Sequence, residues 1–126
     1  MKRMVVDASA MAAVIFQEPG CDRILEALGS GSVIAPALLE FELTNIAWKK
    51  ARRHPSDAAA ILAALGLGLS GQWNIVWQDV EAVDVALVAV STGLTAYDAS
   101  YLWLAGALGA DLVTLDAELA RFEQPI

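Results

Sequence analysis

The chain is predicted to be an α/β protein with a mainly parallel central sheet. Two observations predict this. Short apolar runs rich in β-formers alternate with longer segments whose apolar residues recur at helical spacing. Glycine and proline fall at the borders of these segments, with no linker, internal repeat or low-complexity stretch beyond an alanine bias. A length of 126 residues then fits one domain, 1–126, around one core.

Met4-Val5-Val6 reads as the first buried strand, and Asp7-Ala8-Ser9 turns into a helix through Phe16. Pro19 stands at a first-turn position for a second helix, Cys21 to Leu28, with Ile24, Leu25 and Leu28 on one face. Gly29-Ser30-Gly31 ends it, and Ser32-Val33-Ile34-Ala35 is the second strand. Pro36 opens a long helix to about Arg53, which stops before Pro55. Ser56 is expected to cap a helix from Asp57 to about Leu67 that ends among Gly66, Gly68 and Gly71. Asn74-Ile75-Val76-Trp77 is the third strand, and Asp79 is expected to cap a helix through about Val90. Thr95 opens a helix to about Leu108, closed by Gly109. Leu112-Val113-Thr114-Leu115 is the fourth strand, followed by a short helix from Asp116. The tail Gln124-Pro125-Ile126 either frays or adds an edge strand.

Hydrophobic residues make up 57% of the chain and charged residues 18%, and the mean hydropathy is +0.53. So few charges leave apolar surface exposed, which marks partner interfaces and predicts an oligomer or an obligate complex. The net charge of −7 argues against a nucleic-acid binder, unless several of the acids hold cations that cancel it. The single cysteine, Cys21, forms no internal disulfide and suits a reducing cytoplasm. With His54 the only histidine, no His/Cys zinc cluster is available. No signal peptide is expected, because Asp7 interrupts the short apolar run after Lys2 and Arg3. The longest uncharged stretch, Ala58 to Gln78, carries too many glycines and polar residues for a membrane span.

Four carboxylates stand in or beside segments that should be buried: Asp7, Glu42, Asp98 and Asp116. Burying a carboxylate is costly unless a partner or a metal compensates it. Asp7 and Asp116 each follow a strand, so a parallel sheet delivers both to the rim where ligands bind. Each also suits the N-cap of the helix that follows. Glu42 shares a helix face with Asn45 and Lys49, opposite Leu39, Leu43 and Ile46. That polar stripe is equally a solvated face. Glu40 competes with Glu42 but points elsewhere. Asp98 is the only charged residue between Asp84 and Asp111. Thr95-Ala96-Tyr97-Asp98 also fits a capping box.

The remaining charges have ordinary readings. Asp79, Glu81 and Asp84 populate a helix N-terminus, and His54 stands at a helix C-terminus. Lys49, Lys50, Arg52 and Arg53 are half of all eight basic residues. Singly they suit a helix C-terminus; as a cluster they can grip phosphates beside an acidic metal site.

Four words of sequence occur in order along nearly the whole chain. They are Val5-Val6-Asp7-Ala8-Ser9; Ala35-Pro36 leading to Glu42-Leu43-Thr44-Asn45; Leu94-Thr95-Ala96-Tyr97-Asp98-Ala99-Ser100-Tyr101 with Leu104-Ala105; and Leu112-Val113-Thr114-Leu115-Asp116. Together they resemble the PIN-domain ribonucleases, specifically the VapC-type toxins of toxin–antitoxin pairs. The resemblance implies a three-layer α/β/α sandwich. It implies that Asp7, Glu42, Asp98 and Asp116 form the catalytic site, and it selects Glu42 over Glu40. Ser9, Asn45 and Thr114 match supporting positions. It further implies a homodimer, a small antitoxin protein and an RNA substrate such as transfer or ribosomal RNA.

The chemistry expected is metal-dependent hydrolysis of RNA phosphodiester bonds. Asp7, Asp98 and Asp116 would hold Mg²⁺ or Mn²⁺, and Glu42 would complete the shell or orient the attacking water. The rival readings are a catalytically silent interaction module of the same fold and a DNA-directed nuclease on it. A phospho-acceptor signalling domain fails for want of a second acid after the first strand. A haloacid-dehalogenase-type phosphatase would want an Asp where Ser9 stands.

Overall fold

The computed structural model describes residues 2–123. The elements run β1 (Arg3–Val6), α1 (Ala8–Ile15), α2 (Cys21–Leu28), β2 (Ser32–Ala35), α3 (Leu38–Arg53), α4 (Ala58–Leu67), β3 (Val76–Trp77), α5 (Ala82–Thr92), α6 (Ala96–Leu108), β4 (Asp111–Val113) and α7 (Ala117–Ala120). All strand pairings are parallel, in the order β3-β2-β1-β4. This is the expected α/β architecture.

The order explains where a site can form. The chain steps outward from β1 to β2 to β3, then returns across the sheet to pair β4 on the far side of β1. Parallel crossovers are right-handed, so the outward and return steps lay helices on opposite faces. Beyond the carboxyl ends of β1 and β4 the direction reverses, which opens a crevice on the rim. The register is Met4↔Asp111, Val5↔Leu112 and Val6↔Val113. Asp7 and Thr114 therefore leave the sheet side by side, and the Asp7 N–H donates to the Val113 carbonyl at 3.3 Å.

Val5, Val6, Ala35, Leu39, Leu43 and Leu119 are completely buried. β1 is buried on both faces, which is why it reads as a continuous apolar run rather than an alternating one. Apolar surface also stays outside, as the composition predicted: Phe41 and Trp48 on α3, and Val83, Leu87 and Val90 on α5.

Several local expectations are corrected. The third strand contains only Val76 and Trp77, because β3 is an edge strand with both side chains exposed. The fourth strand is Asp111–Val113, so Thr114 and Leu115 lie in the loop between it and α7. Ser56 does not cap α4; Pro55–Asp57 forms a 3-10 turn, and α4 begins at Ala58. Asp79 does not cap α5, whose N-cap is Glu81, without a side-chain bond. Ala47 rather than Ile46 completes the buried stripe of α3. The tail Gln124-Pro125-Ile126 lies outside the described residues.

Candidate active site

Asp7 is 3% exposed and caps α1, accepting the Ala10 N–H at 3.1 Å. Two hydroxyls complete its surroundings. Ser9 Oγ donates to Asp7 Oδ1 at 2.7 Å, and Thr114 Oγ1 donates to Asp7 Oδ2 at 2.6 Å. A carboxylate has about four acceptor positions, so these three donors leave one open.

The same hydroxyls fasten the next acid. Thr114 Oγ1 accepts the Asp116 N–H at 3.0 Å, and Ser9 Oγ accepts the Leu115 N–H at 2.9 Å. The backbone leading to Asp116 is thereby bracketed to Asp7 from both sides. Gly20, with φ +94°, sits against the tip of the Leu115 side chain. Asp116 caps α7, its Oδ1 accepting the Glu118 and Leu119 N–H groups at 2.8 and 3.3 Å. For both acids one oxygen, Oδ1, serves the backbone N–H groups of the helix start.

Glu42 comes from α3 and is half-buried, with Oε1 accepting from the Tyr101 hydroxyl at 2.5 Å. Asp98 comes from the first turn of α6. Only half of its expected capping box forms. Thr95 Oγ1 accepts the Asp98 N–H at 3.2 Å, and no returning bond from the Asp98 carboxylate occurs among the described residues. The carboxylate is left free to act.

The four acids sense one another. Burial pushes the Asp7 carboxyl up, with the charge of Asp116 adding to it and the three donors opposing. Burial also pushes Glu42 up, against the Tyr101 bond and with the charges of Asp98 and Asp7. Asp98 is raised first by burial, then by Asp116, Asp7 and Glu118. Glu118 and Tyr101 are neighbours that sequence reasoning missed as site residues. Tyr101 was signalled by its position three residues after Asp98, on the same helical face. Glu118 was signalled by its place beside Asp116 at the start of a helix.

Among the described residues every hydrogen bond received by this acid set comes from a neutral donor: hydroxyls of Ser9, Thr114 and Tyr101, and backbone N–H groups. Among the described residues no lysine or arginine forms a salt bridge with any of the four. The donor set therefore fits a divalent cation, all oxygen and uncompensated in charge. Among the described residues no three acids close into a ready-made metal cage. Mg²⁺ retains several waters and is satisfied by one or two direct carboxylates, so an open set suits it.

The basic cluster lies elsewhere. Lys49 to Arg53 are seven to eleven residues beyond Glu42, about 10–16 Å along α3. Lys50 is already committed, forming an ion pair with Glu18 and lying 5.6 Å from the Phe16 ring. Arg52 stacks over Trp48 at 4.8 Å. Lys49 and Asn45 are exposed and make no bond to Glu42, so the shared face runs out into solvent. On the other side of the site, a groove of about 640 Å³ includes Leu38, Asp79, Glu81, Ser100 and Tyr97. Leu38 is one helical turn from Glu42, and Tyr97 is 64% exposed beside Asp98.

A family model described as a PIN domain matches residues 4–124. The chain belongs to the PIN-domain family. Ribonuclease VapC3 of Pyrobaculum aerophilum is 30% identical over 133 aligned positions, covering 94% of this chain and 93% of that protein. Exonuclease VapC9 of the same organism is 43% identical over 63% of this chain and 58% of its own length. The crystal structure of PAE2754 from Pyrobaculum aerophilum superimposes with a TM-score of 0.77 at 33% identity, covering 98% of this chain and 87% of that one. This PIN domain carries Asp7 and Asp116 as the N-caps of α1 and α7, just beyond β1 and β4, with Glu42 on α3 and Asp98 on α6.

Proposed function

We propose that this PIN domain is a metal-dependent endoribonuclease and the toxin of a toxin–antitoxin pair. The observation that carries the reading is that Asp7, Glu42 and Asp98 each feel the charge of others of these four acids, while the hydrogen-bond donors to the set among the described residues are all neutral. The VapC3 and VapC9 relatives, named as a ribonuclease and an exonuclease, support nuclease chemistry.

Asp7, Asp98 and Asp116 would hold Mg²⁺, or Mn²⁺ in its place. When bound, the cation stabilises developing phosphate oxyanions and makes a nearby water more acidic. Ser9 and Thr114 keep the Asp7 carboxylate fixed, which lowers the reorganisation needed during reaction. Glu42, its proton affinity raised by burial, orients the attacking water and accepts its proton. Lys49, Arg52 and Arg53 serve phosphates distant from the cut, and Lys50 is withdrawn from that role by Glu18. Tyr97 offers an exposed ring on which an unpaired base stacks. Transfer and ribosomal RNAs, with their exposed loops, suit such a site.

The apolar stripe Val83, Leu87 and Val90 on α5 and the exposed Phe41 and Trp48 on α3 supply surface for a second copy and for a small antitoxin protein. No described helix is long and apolar enough by itself to cross a membrane, and the proposed setting is the cytoplasm. One second reading has an observation behind it: the relative named as an exonuclease favours cutting from a chain end, with DNA as an alternative polymer.

The test is incubation of purified protein with a panel of transfer and ribosomal RNAs and single-stranded DNA in Mg²⁺, Mn²⁺ or EDTA, beside Asp98→Asn. Discrete internal RNA fragments that vanish with EDTA and in the variant are expected. Nucleotide-by-nucleotide shortening would select the exonuclease, and inactivity of folded protein would move the assignment to an interaction module.

A further inference from the structure

Tyr101 is 1% exposed and the largest of the fully buried side chains. Its hydroxyl is the one polar atom of a ring otherwise packed in the apolar core, and its partner is Glu42 Oε1 at 2.5 Å, 59 residues away. A buried hydroxyl needs a partner, but a backbone carbonyl would serve that need as well. Here the bond is given to a half-buried carboxylate on another helix. It ties α3 to α6 and holds one Glu42 oxygen, and no donor to Oε2 occurs among the described residues. On α6, Tyr101 is three residues beyond Asp98, so both point to the same side of the helix.

A lysine or arginine at this place would hold Glu42 just as firmly but would cancel its charge. A phenol fixes orientation and leaves the charge in place. Ser9 and Thr114 do the same for Asp7. Three neutral hydroxyls thus orient two acids of the site without discharging it.

We propose that Tyr101 is a positioning residue that acts through Glu42, fixing that carboxylate so that its other oxygen meets the cation's water shell or the attacking water. The inference rests on the nuclease reading above. A hydrogen bond to a charged group is worth about 1.5–3 kcal/mol, so its loss corresponds to about a ten- to hundredfold change.

The experiment is a double-mutant cycle with Tyr101→Phe, Glu42→Gln and the double variant, read by Mn²⁺ calorimetry and by single-turnover RNA cleavage. Tyr101→Phe is expected to fold, to weaken Mn²⁺ binding severalfold, and to cut the cleavage rate about tenfold or more with substrate affinity unchanged. In the Glu42→Gln background the same change is expected to cost nothing further, because there is no carboxylate left to position. Equal losses in both backgrounds would show a purely structural role and overturn the proposal, as would full Mn²⁺ affinity and full cleavage in Tyr101→Phe. If the wild type cleaves no RNA, the nuclease reading fails while the calorimetric cycle still decides whether Tyr101 and Glu42 act as a unit. Should Tyr101→Phe melt far below wild type, Tyr101→Trp, which retains a ring donor, and Glu42→Gln alone decide by whether Mn²⁺ affinity follows the donor.

Discussion

Replacing Thr114 by Val removes one oxygen atom and almost no volume. Thr114 is 1% exposed, so the shape of its pocket is retained and no cavity opens. Three bonds disappear together: the donation to Asp7 Oδ2, the acceptance of the Asp116 N–H, and a longer bond with Ser9 Oγ at 3.3 Å that leaves Ser9 its other partners. The first is a bond to a buried carboxylate, worth about 1.5–3 kcal/mol. The second frees a half-buried N–H that water can reach, adding about 1 kcal/mol or less. Ser9 and the Ala10 N–H still hold Asp7 Oδ1, so the total comes to about 2–3 kcal/mol. For a chain of this size that lowers Tm by about 10 °C. The assay is thermal melting by circular dichroism at pH 7 in EDTA, with Thr114→Ser as the control that keeps the hydroxyl. Thr114→Ser is expected to restore most of the loss. RNA cleavage by Thr114→Val is expected to fall about tenfold or more, since the backbone before Asp116 and the Asp7 carboxylate both lose an anchor. A Thr114→Val protein that melts within about 1 °C of wild type and cleaves normally would refute the hydroxyl bracket.

Burial raises Asp7, Glu42 and Asp98, so the folded state holds their protons more tightly than the unfolded state does. Stability of the metal-free protein therefore falls as pH rises from the ordinary carboxylate range through the raised folded values. Asp7→Asn is expected to melt above wild type at pH 7 in EDTA, with the gap closing as pH falls through that window; a gap independent of pH would count against it. Added Mn²⁺ at roughly 100 times its Kd is expected to stabilise wild type by about 2.7 kcal/mol, and Asp98→Asn by less, in the same melting assay. Asp98→Asn is also expected to lose cleavage while its circular dichroism stays native, and full activity would remove Asp98 from the site. Tyr97→Ala is expected to weaken binding of single-stranded RNA by about fivefold or more with Tyr97→Trp restoring it, measured by fluorescence anisotropy.

The acids were legible because isolated charges in apolar segments stand out, and because a strand followed by Asp places that Asp on a known rim. β1 and Asp7 illustrate this: three buried β-formers and one acid suffice. Glu42 was harder, since helical periodicity gives it a face but not the direction in which that face looks. Only the family resemblance separated it from Glu40, and in the folded chain Tyr101 meets Glu42 rather than Glu40. Boundaries were the weakest point. Thr114 reads as strand by propensity, yet parallel pairing with β1 stops at Val113, and Thr114 gives its hydroxyl to Asp7 Oδ2 instead. Asp79 has the right chemistry for a cap, but the N-cap of α5 falls two residues later, at Glu81.

The sequence by itself determined the alternation of strands and helices and the placing of Asp7 and Asp116 at helix starts just beyond strands. Those properties depend on neighbours in the chain, through periodicity, capping and the restricted geometry of proline and glycine. Only the tertiary structure decided that Thr114 serves Asp7 across 107 residues, that Tyr101 serves Glu42 across 59, and that Lys50 is spent on Glu18. It also left the Asp98 carboxylate without the capping bond that the sequence offered it. Such pairings follow from the register of β1 with β4 and from the meeting of α3 and α6 over the rim, and neither is encoded in local spacing.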